Sequence, residues 1–133
     1  PRKLVAEDIG IVSTHNQMNT AIQHELTGGL SKIRVTTPER WQGLQRPVMI
    51  AVHPLSGVMF PSSFDLETGR LCVMASRHES ACIFVTRDHV GETLDTHLPI
   101  ADQALGRSDI VGRGHSQHTE FWRYHADRSL IIQ

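Results

Sequence analysis

The stretch GRLCVMASRHESACIFVT, residues 69–86, decides the predicted fold. In its first half Leu71, Met74, Ala75 and His78 recur at the spacing of one helix face. Its second half is an apolar run, typical of a buried strand. Arg77 falls where the helix should end. We therefore expect its side chain at an edge of a sheet.

The segment before this stretch alternates strand and helix signals. Apolar runs at residues 8–13, 33–36 and 48–52 predict three further strands. The run at 48–52 is apolar throughout, which is typical of a central parallel strand. The pattern therefore predicts an α/β fold with three layers: a mostly parallel sheet with helices on both faces.

One helix is predicted between the first two strands. Thr14 or Asn16 would cap its start, and Gly28 with Gly29 would end it. The apolar stripe expected to pack on the sheet comprises Met18, Ala21, Ile22 and Leu26. Right-handed crossovers place the carboxyl ends of all strands at one edge, so Ser13, Thr37 and the loop after Val52 should share it.

The alternating pattern ends near residue 87. The prolines and glycines of residues 53–65 predict a long loop there. Beyond residue 87 we expect a short helix at 99–105, a loop at 106–114 and an amphipathic helix at 117–127.

Composition excludes several classes of protein. The 133 residues are enough for one domain with a hydrophobic core, and the net charge of −1 is not the basic footprint of a stand-alone nucleic-acid binder. No apolar run approaches the roughly 20 residues that span a bilayer, and no signal peptide is evident. Two cysteines do not make a disulfide framework, so a reducing, cytoplasmic setting without membrane contact is expected.

Three blocks of the chain, in order, resemble motifs of superfamily 1 helicases. Residues 9–13 (IGIVS), followed by a helix, resemble motif IV. Residues 37–43 (TPERWQG) look like motif V, Thr-x-Asp-x-Phe-Gln-Gly, and residues 70–77 (RLCVMASR) look like motif VI, Arg-Leu-Asn-Val-Ala-Leu-Thr-Arg. Order, spacing and predicted elements agree over roughly residues 8–88. The similarity is greatest to the 5′-to-3′ branch, which serves RNA surveillance and DNA replication.

The resemblance implies that residues 1–88 are the core of a second RecA-like domain, of the P-loop NTPase type, and that residues 89–133 are a C-terminal extension. The phosphate-binding loop would lie in an upstream RecA-like domain, since no Gly-x-x-x-x-Gly-Lys-Ser/Thr occurs here. ATP and Mg²⁺ would be bound mainly by that missing domain, and this chain alone would not hydrolyse ATP.

By resemblance, Arg77 would be the arginine finger, the catalytic residue that reaches nucleotide across the cleft. The nucleotide cleft would also include Gln42, Gly43, Gln45 and Arg70. Ser13 and Thr37 would donate hydrogen bonds to backbone phosphates of single-stranded nucleic acid. Ordinary strand-end capping is an equally open interpretation of those two hydroxyls.

The chain departs from the helicase pattern at three positions. Gln45 stands where the family has glutamate, Glu79 where it has arginine or lysine, and Cys72 where it has asparagine. A degenerate helicase-like domain that binds nucleic acid or protein without turnover is therefore the main alternative. A flavodoxin-like or Rossmann-like domain with a small ligand is a third, which no Gly-rich fingerprint supports.

The remaining distinctive side chains are given structural roles. Trp41 should pack in the core beneath the sheet, and Cys72 and Cys82 should be buried apolar residues. The three tail histidines have spacing compatible with zinc, but no cysteine lies near, so no metal site is predicted. They are His115, His118 and His125.

Overall fold

The computed structural model of the protein describes residues 2–97 and 110–128. The chain divides into two compact units. The sheet unit comprises Pro1–Pro54 and Gly69–Thr86, and the helical unit comprises Leu55–Thr68 and Arg87–Gln133.

The sheet unit has an α/β fold built on four parallel strands, which confirms the predicted fold class. The strands are β1 (Ile9–Val12), β2 (Arg34–Thr36), β3 (Arg46–Val52) and β4 (His78–Val85). Their order is β2-β1-β3-β4, and every neighbouring pair is parallel. The helices that connect them are α1 (Asn16–Glu25), α2 (Pro38–Trp41) and α3 (Thr68–Ser76).

The main core lies on one face of this sheet, beneath Trp41. The indole is fully buried, as predicted, and its Nε1–H donates a hydrogen bond of 3.1 Å to the carbonyl of Ile11. Gly10 makes room for the ring, because a Cβ there would lie 2.6 Å from both Trp41 and Met49. The remaining fully buried members of this core are Val12, Ala51 and Met74.

Helix α1 lies on the opposite face. Side chains alternate along a strand, so Ser13 points away from the Trp41 side, and it is hydrogen-bonded to Asn19 of α1. The predicted packing stripe is wrong at Met18 and Ala21, which are exposed, whereas its other members, Ile22 and Leu26, are half-buried. Asn19 is the buried residue of this helix. The apolar period did not reveal that a polar pair anchors α1.

The ends of α1 also differ from prediction. His15 occupies the N-cap position and makes no side-chain capping bond, so neither Thr14 nor Asn16 is the cap. The helix stops at Glu25, and Gly28 adopts a positive φ of 58° in the following 3₁₀ turn. Helix α1 therefore ends before the glycines rather than at them.

Strand β4 is an edge strand of the described sheet and is less buried than predicted. Ile83 is 52% exposed and Val85 48%, because side chains alternate along the strand and these two lie on the face opposite Cys82 and Phe84, which pack against the core. The strand also begins at His78, which the spacing had assigned to the preceding helix. An apolar run predicts a strand but does not tell whether both of its faces are covered.

The helical unit contains α4 (His89–Thr96) and α5 (Ile110–Asp127). Its core comprises Leu55, Leu66, Val90 and Leu94, with Trp122 packed against it. Helix α4 was not predicted. Helix α5 begins inside the segment expected to be a loop, so the loop prediction is wrong from Ile110 onward. The helix expected at 99–105 lies outside the described residues. None of the described helices is long and apolar enough to cross a membrane.

Candidate functional site

Arg77 lies between α3 and β4, at the amino-terminal edge of the sheet. Its carbonyl accepts a 3.1 Å hydrogen bond from the N–H of Arg46, the first residue of β3. The half-exposed guanidinium donates from Nε and Nη2 to the hydroxyl of Ser76, at 3.2 and 3.0 Å. No carboxylate pairs with it among residues 2–97 and 110–128. Its charge is therefore available to an anion from outside.

The turn that corresponds to the motif V resemblance lies at the same edge. Gln42, Gly43 and Gln45 are exposed and directly precede β3, whose first residue is bonded to Arg77. Gly43 has a φ of 75°, a conformation that glycine adopts at little cost, so it permits the turn. The structure thus places the backbone of Arg77 beside Arg46, the residue that directly follows this turn.

Arg70 is not part of that group. It lies seven residues before Arg77 on α3, about 10 Å along the axis. Its Nε donates to Glu39 Oε1 at 2.7 Å, which ties α3 to α2. Burial alone would raise the pKa of Glu39, but hydrogen bonds from its own backbone N–H, Thr37 and Arg70 hold that pKa below its ordinary value. Arg70 is thus compensated by a carboxylate within the chain.

The carboxyl edge of the sheet carries the two hydroxyl residues predicted to contact phosphates. Ser13 follows β1 and is 2% exposed; its hydroxyl donates to Asn19 Oδ1 at 2.9 Å, and Asn19 Nδ2 donates back to the Ser13 carbonyl at 3.2 Å. Thr37 follows β2, is half-buried, and its hydroxyl interacts with Glu39. Both hydroxyls therefore form hydrogen bonds within the chain, at the carboxyl edge of the sheet where the two residues were expected.

A polar groove of about 590 Å³ opens between α1 on one side and β2 with α2 on the other. Its lining residues are Asn16, Asn19, Thr20, Gln23, His24, Val35, Thr36 and Arg40. Sequence reasoning missed this groove because its walls come from three elements. The signal in the chain was the helical spacing of three polar residues, at 16, 20 and 23.

The cysteines and tail histidines are placed differently from one another. Cys72 is exposed, so its predicted burial is wrong, whereas Cys82 is half-buried, and burial raises the pKa of its thiol.

His115 and His118 are buried in the helical unit, and His115 Nε2 lies 2.7 Å from the carbonyl of Leu94. Within the described ranges, no three His, Cys, Asp or Glu side chains are grouped so that they could hold a metal ion.

Among the described residues of the helical unit, His118 has the largest shift in pKa. It is fully buried, and burial followed by the charge of nearby His115 lowers its pKa to about 4, although Asp65 acts in the opposite direction. Asp65 is itself buried and accepts hydrogen bonds from the backbone N–H and hydroxyl of Ser62. The carboxylate of Asp65 therefore organises a turn of the helical unit.

No family model matches this chain, and no curated protein matches it either. The strand order β2-β1-β3-β4 places the topological switch point between β1 and β3, where open α/β sheets commonly bind ligands. The carboxyl edge of the sheet at β1 and β3 is therefore a candidate ligand site.

Proposed function

We propose that this chain is the C-terminal RecA-like domain of an ATP-dependent nucleic-acid helicase. It supplies the arginine finger Arg77 and part of the single-strand binding surface, and it does not hydrolyse ATP by itself. The observation that supports this most is the grouping at the amino-terminal edge: an uncompensated arginine beside the exposed turn of Gln42, Gly43 and Gln45.

The chemistry of phosphoryl transfer explains why such an arginine matters. Negative charge on the γ-phosphate must be stabilised in the transition state, and a guanidinium does this because it is planar, always charged and able to donate two hydrogen bonds. Arg77 fits this task because its guanidinium is half-exposed and bonded to the neutral hydroxyl of Ser76. ATP and Mg²⁺ would be held mainly by an upstream RecA-like domain of the same parent chain.

The test is ATP hydrolysis by a parent polypeptide that includes the phosphate-binding domain. Arg77→Ala should lower kcat by about 10³-fold or more while ADP affinity changes little, because arginine fingers are worth 10³–10⁵ in rate. Lys3→Ala is the matched control, since Lys3 is an exposed cation of the same unit. Equal kcat in the two variants would refute the assignment of Arg77.

A non-enzymatic, degenerate domain is the second candidate, and the observation that favours it is Glu79. This exposed carboxylate lies two residues after Arg77, where the helicase motif carries a cation. If the domain is a working motor half, Glu79→Arg in the parent polypeptide should keep or increase ATP turnover. An inactive parent that stays inactive in this variant, but still binds nucleic acid, would support the binding-module function instead.

A further inference from the structure

We propose that Ser76 is a phosphorylation site that controls the arginine finger. A phosphate on its hydroxyl would hold the Arg77 guanidinium within the chain, so that the finger no longer reaches nucleotide. This inference rests on the proposed helicase function and assigns a means of regulation to the same site. The phosphate would come from ATP, by the action of a serine/threonine kinase.

The two side chains are already joined by a pair of hydrogen bonds. Arg77 donates to Ser76 Oγ from Nε at 3.2 Å and from Nη2 at 3.0 Å. These two nitrogens form one edge of the guanidinium, and such paired donors are what arginine uses to bind carboxylate and phosphate in a bidentate manner. A phosphate attached to this Oγ would therefore bring its oxygens next to donors that already face it.

Ser76 is accessible to a modifying enzyme. It is exposed and is the last residue of α3, and helix ends fray. Glu79 and Ser80, which follow in β4, are exposed as well. The hydroxyl of Ser76 donates a long hydrogen bond, of 3.4 Å, to the carbonyl of Val73. A weakly held hydroxyl is thus presented to solvent at the end of the helix.

The transfer balances without a further reactant. Ser76 Oγ attacks the γ-phosphorus of kinase-bound ATP, and a new O–P bond forms. The bond from that phosphorus to the oxygen that bridges to the β-phosphate breaks, and ADP leaves. The serine proton passes to the catalytic aspartate of the kinase. Hydrolysis by a phosphatase restores the hydroxyl.

The charges around Ser76 determine whether its phosphate pairs with Arg77. Phosphoserine carries close to two negative charges at pH 7. The carboxyl end of α3, equivalent to about half a negative charge, and the exposed Glu79 both oppose it. Arg77 offers a full positive charge in direct contact, and no carboxylate pairs with its guanidinium among residues 2–97 and 110–128. Phosphorylation therefore replaces bonds to a neutral hydroxyl by stronger, charge-assisted bonds.

The first measurement is the second pKa of the phosphate, by phosphorus NMR of the full chain with phosphoserine encoded at position 76. A cation in contact stabilises the dianion, so this pKa should lie about one unit below the ordinary value of about 6. The matched control is phosphoserine at Ser80, an exposed position of β4, which should titrate near the ordinary value. Arg77→Gln should return the pKa at position 76 to that of the control.

The second measurement is ATP turnover by the parent polypeptide. Phosphoserine at position 76 should lower kcat by about 10³-fold, to the level of Arg77→Ala, and phosphatase treatment should restore it. Phosphoserine at Ser80 should leave kcat unchanged. Incubation of the folded full chain with ATP and a purified, basic-directed serine/threonine kinase should add phosphate at Ser76, as detected by peptide mass spectrometry, and Ser76→Ala should abolish that signal.

Three outcomes would overturn the inference. They are an ordinary pKa of the phosphate at position 76, full ATP turnover with phosphoserine there, and absence of phosphate on Ser76 after kinase treatment of the folded chain. The failure of the proposed function looks different: Arg77→Ala would keep its turnover while the pKa of the phosphate at position 76 is still lowered. Failure of the regulation alone would leave Arg77→Ala slow and the phosphorylated parent active.

Discussion

Acidification should destabilise the helical unit through the protonation of His118. This side chain is fully buried, and its pKa in the folded protein is about 4, against an ordinary value of 6.5. Burial is the main cause, and the charge of His115 adds to it, while Asp65 opposes both. The folded state therefore disfavours a proton that the unfolded state accepts readily.

The direction and size of the effect follow from linkage. The folded-state pKa is depressed, so the stability that neutral His118 contributes is fully present above about pH 6.5 and is lost as the pH falls toward 4. Each pKa unit corresponds to 1.36 kcal/mol. The free energy of unfolding should therefore fall by about 1.4 kcal/mol at pH 5.5 and by about 3 kcal/mol at pH 4.

The two tryptophans allow each unit to be followed separately. Trp122 packs on the core of the helical unit and Trp41 lies in the core of the sheet unit. Urea unfolding is measured by fluorine NMR of fluorotryptophan-labelled protein at pH 7.5 and 5.5. The Trp122 transition of the wild type should lose about 1.4 kcal/mol more than that of His118→Leu over this interval.

A matched control and a direct titration complete the test. His24 is highly exposed, so His24→Gln should retain the wild-type pH dependence. If His118→Leu also retains it, the assignment is refuted. The same is true if proton NMR of the histidine ring shows His118 titrating near 6.5 in the folded chain.

The packing of both units yields two further predictions. Gly114→Ala in α5 should destabilise the helical unit by about 1–3 kcal/mol in urea unfolding, because a Cβ there would lie inside contact distance of the Leu66 carbonyl, and this strain outweighs the better helix propensity of alanine. A variant as stable as the wild type would show that α5 does not pack so closely. Ser13→Ala should cost the sheet unit about 1–3 kcal/mol, since it leaves the buried Asn19 oxygen without its donor. The double variant Ser13→Ala/Asn19→Ala should lose less stability than the sum of the two single variants. A loss equal to that sum would show that the two side chains do not stabilise each other.

Much of the sheet unit could be read from local patterns. The apolar runs around Ile11 and Ile50 reflect strands buried in a parallel sheet, and the positive φ of Gly43 follows from the turn that the chain must make before β3. Arg77 was expected at the end of a helix and is found there. These features depend on neighbouring residues, so the local sequence contains the information.

Which faces of the helices and strands are buried could not be predicted from local patterns in the same way. The period of α1 favoured Met18 and Ala21 as the packing residues, yet the Ser13 bond turns Asn19 toward the sheet instead. The apolar run of β4 did not reveal that Ile83 would be left exposed. Burial depends on which other elements lie above a residue, and a local pattern does not contain that information.

Local sequence patterns specify an alternating α/β chain with an arginine at the end of the helix that precedes its fourth strand. Tertiary packing determines which residues meet: the pairing of β3 with β4 brings Arg77 beside the residue that follows the turn, and α1 with β2 and α2 encloses the groove that includes Arg40. The physical reason is that helix and strand signals act over a few residues. Sites are assembled from segments far apart in the chain, by packing that no single segment specifies.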